Sequence, residues 1–490
     1  MDWILGLDLG TTHCKAVAVG PEGQIGATAE AAYPLRTEQP GAAEQAPDTV
    51  WEGVGRVLRD VAGQIGQGDT LAGLSLCGAM HSLLAVTRQG IPLGKAVTWA
   101  DLRAEVSAAT VQKSGDLYAL YARTGCPIQP VYHPIKLRWW RQTHPELAKQ
   151  AELYVSIKDW VAYRLTGRWT ADWSVASASG LMDIHRMAWD DQAVALAGIS
   201  LQQLPELVPP AVVIGDLLPE AAALTGLPAG LPVIAGASDG GLANLGAGAR
   251  RPGQCVVTVG TGAAVRRVVE KPWLDPRQRT WCYVLTDNHW FAGGAISNGG
   301  LAVQWVRQSF YADLPAEEGF ARLFQEAALI PPGAGGVLVL PYLTGDRSPH
   351  WNFSMRAAVT QLGLEHTRGH IARAMLEAVA YSLAEVWEVL SRVDQGDLPI
   401  RLTGGSVIRS PLWAQIIADV LGVPLAPIDQ ADASPLGAAL LGYAALGDPE
   451  RMEQICAAMR PGRLIQPDPH NHLFYLERRA HFHEMYTRLA

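Results

Sequence analysis

The sequence predicts an α/β protein with mixed sheets in two related domains, and three observations support this. Apolar strand-like runs alternate with stretches of helical spacing. A Gly-Thr turn between two strands occurs near the start and again past the middle of the chain. The 490 residues are 49% hydrophobic and 18% charged, enough core for about two to four domains and inconsistent with disorder along the whole chain.

Taken in order, Trp3-Ile4-Leu5-Gly6-Leu7 reads as a strand leading into Gly10-Thr11-Thr12, and Lys15-Ala16-Val17-Ala18-Val19 as the strand that returns. Residues 48–65 place Val50, Trp51, Val54, Val57, Leu58, Val61 and Ile65 at helical spacing. Leu71 to Cys77 is then a short apolar strand, and hairpins feeding a βαβ-type sheet imply an α/β fold with a mixed sheet. Cys255-Val256-Val257-Thr258-Val259, Gly260-Thr261-Gly262 and Ala263-Ala264-Val265-Arg266 then repeat the opening pattern. The glycine-rich stretch from Gly240 to Gly253 is the natural boundary, which predicts domains at 1–247 and 248–490 with a ligand between them.

The 39 basic and 47 acidic residues give a formal charge of −8, which argues against nucleic acid or an anionic membrane as the main partner. It leaves anionic ligands open, because backbone N–H groups at a glycine turn bind phosphate without lysines. The six cysteines are scattered with no C-x-x-C pair and read as reduced, mostly buried thiols of a cytoplasmic protein. The stretch Asp2-Trp3-Ile4-Leu5-Gly6-Leu7-Asp8 has no basic region and reaches a carboxylate too early for a signal peptide. The apolar run Pro435 to Leu446 is too short to span a bilayer.

Several motifs have two readings on the residues alone. Asp8-Leu9-Gly10-Thr11-Thr12 suits a polyphosphate turn whose carboxylate holds magnesium or its water, and equally an ordinary hairpin. No P-loop occurs, and Gly53-Val54-Gly55 is too poor a dinucleotide fingerprint to use. Gly236-Ala237-Ser238-Asp239-Gly240 follows the strand Pro232 to Ala235 and precedes a helical stretch. It supports either Ser238 as the nucleophile of a serine hydrolase or Asp239 as a general base on a hydroxyl. Met80-His81-Ser82 and Thr98-Trp99-Ala100-Asp101-Leu102-Arg103 place polar and aromatic groups at strand ends, where they can line a polyol site or serve the core. In the segment Tyr132 to Arg141, which begins a helix, Lys136 can line a cleft. Leu402-Thr403-Gly404-Gly405-Ser406 can bring backbone close to a base or phosphate, or be a plain βα turn. Gly345 to Asn352 reads as a structured loop to which the residues alone give no function.

In this order, the segments resemble the FGGY family of carbohydrate kinases. The resemblance rests on Gly6 to Thr12, Met80-His81, Trp99 to Arg103, Lys136 to Trp139, Gly236 to Gly240, Gly260 to Gly262, Gly345 to Pro349 and Thr403 to Ser406. Within the family the chain is most similar to gluconate kinases, through Ala79 to Val86, Thr98 to Asp101, Thr124 to Ile128, Val155 to Lys158, Ala176 to Leu181 and Ala237 to Gly246. Xylulose kinases are the next nearest. Two positions depart from the family pattern: His133 stands where Pro, Ser or Thr is usual, and Ala357 where glycine is usual.

The resemblance implies two actin-like, ribonuclease-H-like domains flanking a cleft that takes ATP–Mg²⁺ and a sugar. It implies Asp239 as general base, Asp8 at the magnesium, and phosphate contacts from Gly10, Thr11, Thr12, Gly260 and Thr261. Gly404 and Gly405 would lie near adenosine, and Met80, His81, Trp99, Asp101 and Arg103 would line the sugar pocket. The expected reaction is ATP-dependent phosphorylation of D-gluconate to 6-phosphogluconate. The alternatives are xylulose or another pentulose or polyol as substrate, the Ser238 hydrolase, and a non-catalytic nucleotide-binding module. For a carboxylate substrate, Arg103 or Lys136 would supply the cation. A homodimer is left open.

Overall fold

The computed structural model describes residues 2–66, 68–115, 117–286, 288–393, 399–430, 432–459 and 461–490. They pack into two units. The first comprises residues through Arg250 together with Val269–Phe291 and Asp432–Met459, and the second comprises residues 251–268, 292–430 and 461–490. The boundary expected at 247/248 falls near the end of the first stretch, but the division is not one cut, because two later segments return to the first unit.

The first unit is built on β1 (Asp2–Leu9), β2 (His13–Val19), β3 (Ile25–Ala32), β4 (Thr70–Gly78), β5 (Val213–Asp216) and β6 (Pro232–Ser238), in sheet order β5-β6-β4-β1-β2-β3. Strand β1 pairs antiparallel with β2 and parallel with β4, and β6 pairs parallel with β4 on its other side. Helix α1 (Pro47–Ala62) makes the crossover from the hairpin to β4. Its Val50, Val54, Val57, Leu58 and Val61 lie in one buried cluster with Leu5, Leu7 and Leu9 of β1.

Side chains alternate across a strand, so Ile4, Gly6 and Asp8 face the opposite side. There Ile4, Val17, Val19 and Cys77 pack with Leu436, Leu440 and Leu441 of the helix Ala433–Ala445. The run Pro435 to Leu446 is therefore a buried helix, as its short length required. Its seat depends on glycines. A Cβ on Gly6 would lie 1.8 Å from the carbonyl oxygen of Pro435. One on Gly437 would lie 2.0 Å from that of Leu242, and one on Gly246 1.8 Å from that of Ala433. This contact explains why residues 432–459 belong to the first unit.

In the second unit, β7 (Cys255–Val259) pairs antiparallel with β8 (Ala263–Val269) and parallel with β9 (Ile400–Thr403), which carries β10 (Leu425–Pro427) on its far side. The hairpin with a parallel neighbour repeats the arrangement of β1, β2 and β4, so the symmetry seen in the sequence is present in the topology. All six cysteines are buried and none is in a disulfide. No helix among the described residues is long and apolar enough to cross a membrane.

Gly6→Ala should lower stability by about 1–3 kcal/mol or more, since its methyl meets backbone that cannot rotate away. Gly63→Ala is the control: φ is −67° and the nearest atom to its Cβ would be 3.5 Å away, so that variant should be neutral or slightly stabilised. Urea unfolding of both, with equal midpoints for the two variants as the contrary result, checks the assignment.

Candidate active site

The first unit gathers its chemistry at the C-terminal ends of β1, β4 and β6. Asp8 stands opposite Cys77 in β4, and Ala237 of β6 stands opposite the same Cys77. Asp239, two residues past Ala237, opens helix α4 (Asp239–Gly246) beyond the strand end. In open α/β sheets the ends of parallel strands are where ligands bind.

Asp8 and Asp239 influence each other electrostatically. The Asp8 carboxyl is raised from 3.8 to about 7, first by burial and next by the charge of Asp239. Its Oδ1 is buried with no hydrogen-bond partner. Asp239 Oδ1 accepts from Gly240 N at 2.7 Å, which orients the carboxylate. A bulge helps place it: the β6–β4 register shifts between Ile234 and Ala237, around Gly236 at φ +70°. A Cβ there would lie 1.5 Å from Leu76 O, so only glycine fits. Lys158, in an ion pair with Asp172 at 2.8 Å, donates to Ala235 O at 2.7 Å and fixes the strand just before the bulge.

Ser238 is not a nucleophile. It is fully buried with ordinary extended backbone, φ −68° and ψ 148°, and its Oγ caps α4 by accepting from Gly241 N. Its other side-chain partner is Ser174 Oγ at 2.9 Å, with no histidine in the set. The G-x-S-x-G match is a helix cap.

The first Gly-Thr turn is closed by Gly10 N donating to His13 O at 3.0 Å. Its carbonyls are occupied: Tyr33 donates to Gly10 O at 2.6 Å, and Gln45 Nε2 to Gly10 O and Thr11 O at 3.0 and 2.9 Å. Trp99 Nε1 donates to Thr11 Oγ1 at 3.0 Å, so Trp99 is joined to the turn itself. Thr12 Oγ1 lies 3.2 Å from His13 Nδ1. Tyr33 and Gln45 gave no sequence signal, because they reach the turn from distant positions in the chain.

His81 follows β4 on a loop with half-buried Met80 and takes φ +66°, which is unusual for a residue with a side chain. Its Nδ1 lies 2.9 Å from Ala178 O, and its ring meets Tyr132 edge-on at 5.2 Å. Backbone held in this region is characteristic of functional loops. Asp101 is buried and accepts from Ala43 N at 2.9 Å.

Neither cation expected for a carboxylate ligand stands ready. Arg103 contacts Asp101 at 2.7 Å and Glu44 at 2.5 Å, and lies 4.7 Å over the Trp139 ring. Two carboxylates against one guanidinium leave that group of three with a formal charge of −1. Lys136, 1% exposed, donates to His81 O at 2.7 Å and Thr98 O at 2.6 Å, bracing the two loops that carry His81 and Trp99. Burial and the Lys136 charge push the neighbouring His133 down to about 3, so it is neutral.

The second unit carries the other predicted residues. Gly260 N donates to Gly262 O at 2.9 Å, closing the second turn. Helix α5 (Gly300–Phe310) caps it from behind: Gly300 N donates to Gly260 O at 2.7 Å and Leu301 N to Thr261 O at 2.9 Å. Gly404, at φ +119°, ends β9 where a Cβ would be 2.1 Å from Val259 O, and Gly405 opens a short helix. Gly260 and Thr261 line a cavity of about 630 Å³ with Gln304, Phe324, Ser406 and Arg409. That size suits a nucleotide-sized ligand. Ser406 belongs to the Leu402–Ser406 motif and Arg409 lies three residues beyond it, whereas Gln304 and Phe324 carry no motif in the sequence.

Comparison with known proteins identifies the family. Residues 3–246 match the N-terminal domain model of the FGGY family of carbohydrate kinases, and residues 255–446 match its C-terminal domain model. A gluconokinase of Bacillus licheniformis is 36% identical over 452 residues, 91% of this chain and 88% of that protein. The crystal structure of a gluconate kinase from Lactobacillus acidophilus superposes with TM-score 0.92 at 28% identity, covering 100% of this chain and 98% of that one. A ligand-bound xylulose kinase from the same organism gives 0.93 at 28% identity, with the same coverage. This two-domain, actin-like α/β chain belongs to the FGGY family of carbohydrate kinases and is an ATP-dependent sugar kinase.

Proposed function

We propose that this kinase transfers the γ-phosphoryl group of ATP to the primary hydroxyl of D-gluconate, giving 6-phosphogluconate and ADP. The likeness to the Bacillus licheniformis gluconokinase over 91% of the chain supports the choice of sugar. The carboxylates of Asp8 and Asp239, at the ends of the two strands that flank β4 and close enough for the charge of one to raise the other, support the chemistry.

In this reading Met80, His81, Trp99, Asp101 and Arg103 hold the sugar, and Asp239 takes the proton from the attacking hydroxyl. The hydroxyl oxygen bonds to the γ-phosphorus as the bond to the ADP oxygen breaks, a transfer governed by positioning and charge stabilisation. Gly10, Thr11, Thr12, Gly260 and Thr261 bind phosphate, with their carbonyls already occupied from behind. Gly404 and Gly405 lie by the adenosine. The residues around Asp8 fit a magnesium ion: a buried carboxylate oxygen without a partner, near a second carboxylate, is a hard-oxygen site short of positive charge. When bound, magnesium neutralises charge on the phosphate oxygens.

A second reading, xylulose or another uncharged sugar, draws on Arg103, whose charge is already balanced by Asp101 and Glu44. Coupled ADP release across gluconate, xylulose, ribulose and glycerol decides between them. A kcat/KM for xylulose above that for gluconate would overturn the assignment.

Asp239→Asn should lower kcat on the order of 10²–10⁴-fold with ATP binding retained; near-parental turnover removes Asp239 as the base. A further expectation concerns Asp8. Its folded pKa lies above its unfolded one, so the native protein keeps a proton there that the unfolded chain loses between about pH 4 and pH 7. That contribution to stability is complete below the window and is lost as pH rises through it. Asp8→Asn, uncharged throughout, should flatten this slope and melt above the parent at about pH 8 in metal-free buffer. Magnesium should then raise the parent's melting temperature selectively. A variant that melts below the parent under metal-free conditions would contradict this account of Asp8.

A further inference from the structure

The loop Gly345–Asn352, left without a function by the residues alone, meets two helices of the second unit, α6 (Arg368–Leu390) and α8 (Pro469–Leu489). His350 from the loop, Glu385 from α6 and His483 from α8 each offer one ligand atom, and these atoms lie within 4.8 Å of one another. His350 Nε2 is 3.7 Å from Glu385 Oε1, and His483 Nδ1 is 3.4 Å from the same oxygen. Bonds of about 2.0–2.1 Å in a tetrahedron place neighbouring ligand atoms about 3.3–3.4 Å apart. Two edges of the set therefore need only small adjustment, and the third can close through His483, whose side chain is 64% exposed.

The surroundings are those of a built site. Asp346, 2% exposed, holds His350 Nδ1 at 2.7 Å, which leaves Nε2 as the atom aimed at Glu385. A carboxylate on the far nitrogen of a histidine fixes its tautomer and orientation for a metal. The His350 ring also stacks on Tyr486, with centroids 4.1 Å apart. Glu385 Oε2 is buried with no hydrogen-bond partner. Asp346 and Glu385 together bring two negative charges, which one divalent cation balances with both imidazoles neutral. Arg479, the nearby cation, is engaged with Glu388 at 3.1 Å. A cavity of about 260 Å³ beside Glu385 and His483 has room for water as a fourth ligand.

We propose that His350, Glu385 and His483 form a divalent transition-metal site, oriented by Asp346, that ties the C-terminal helix to α6 and the 345–352 loop. Two imidazoles and one carboxylate favour zinc or cobalt over magnesium or calcium. The site draws on none of the residues assigned to phosphoryl transfer.

The test strips the full-length protein with chelator, restores excess magnesium to fill hard-oxygen sites, and titrates CoCl₂ while following the visible ligand-field absorption. One equivalent should bind with the strong band of a four-coordinate site, and ZnCl₂ should displace it. Asp346→Asn should weaken cobalt binding on the order of 10–100-fold, and His483→Ala more than that. Zinc should raise the parent's melting midpoint and leave that of His483→Ala unmoved. Absence of saturable binding at one equivalent overturns the proposal. So does unchanged affinity in His483→Ala, whose exposed side chain can be removed without disturbing the core.

Discussion

The active end of the first unit depends on backbone approaching backbone closer than any side chain would allow. Gly6, Gly246 and Gly437 let β1, α4 and the helix Ala433–Ala445 touch through their main chains. Asp8 lies two residues beyond Gly6 on the same face of β1, and Asp239 begins the helix that Gly246 ends. The contacts that seat the helices thus also set where the two carboxylates stand. Their proximity costs stability in the free protein, since one carboxyl is pushed up by burial and by the charge of the other. Under the proposed role of Asp8, a bound cation would relieve this cost.

The two Gly-Thr turns follow one plan with different parts. In the first, Tyr33 and Gln45 occupy the carbonyls through side chains. In the second, Gly300 and Leu301 at the start of a helix do so through their N–H groups. Either way the electronegative edge of the turn is satisfied inside the protein, so a phosphate is not opposed by it. Under the phosphate role proposed for these turns, this lets a chain of net charge −8 handle an anionic nucleotide. The anchors come from unrelated positions, so the two halves share their topology without sharing these contacts.

Much of this was legible in the sequence, because it rests on local rules. Strand–turn–strand around Gly10 and Gly260, and a carboxylate just past a strand at Asp239, are patterns in consecutive residues. What could not be read involves partners distant in the chain. Lys136 looked like a cation for a substrate, yet it holds the carbonyls of His81 and Thr98. Arg103 looked the same and is balanced by Asp101 and Glu44. A side chain's chemistry is local, whereas its availability depends on what folds against it. The Ser238 motif shows the converse: five residues fitted a nucleophile elbow, and burial with a helix-capping bond made the serine structural.

The return of residues 432–459 to the first unit bears on how the protein is made. Ile4, Val17, Val19 and Cys77 form an apolar face whose cluster is completed only when the helix Ala433–Ala445 reaches it. A ribosome therefore releases the opening hairpin long before the segment that seals it has been synthesised. In that interval the nascent first unit exposes a half-finished core and a sheet that can pair wrongly. A chain truncated before residue 432 would lack the helix that completes this cluster, so the first unit would be left with an exposed apolar face.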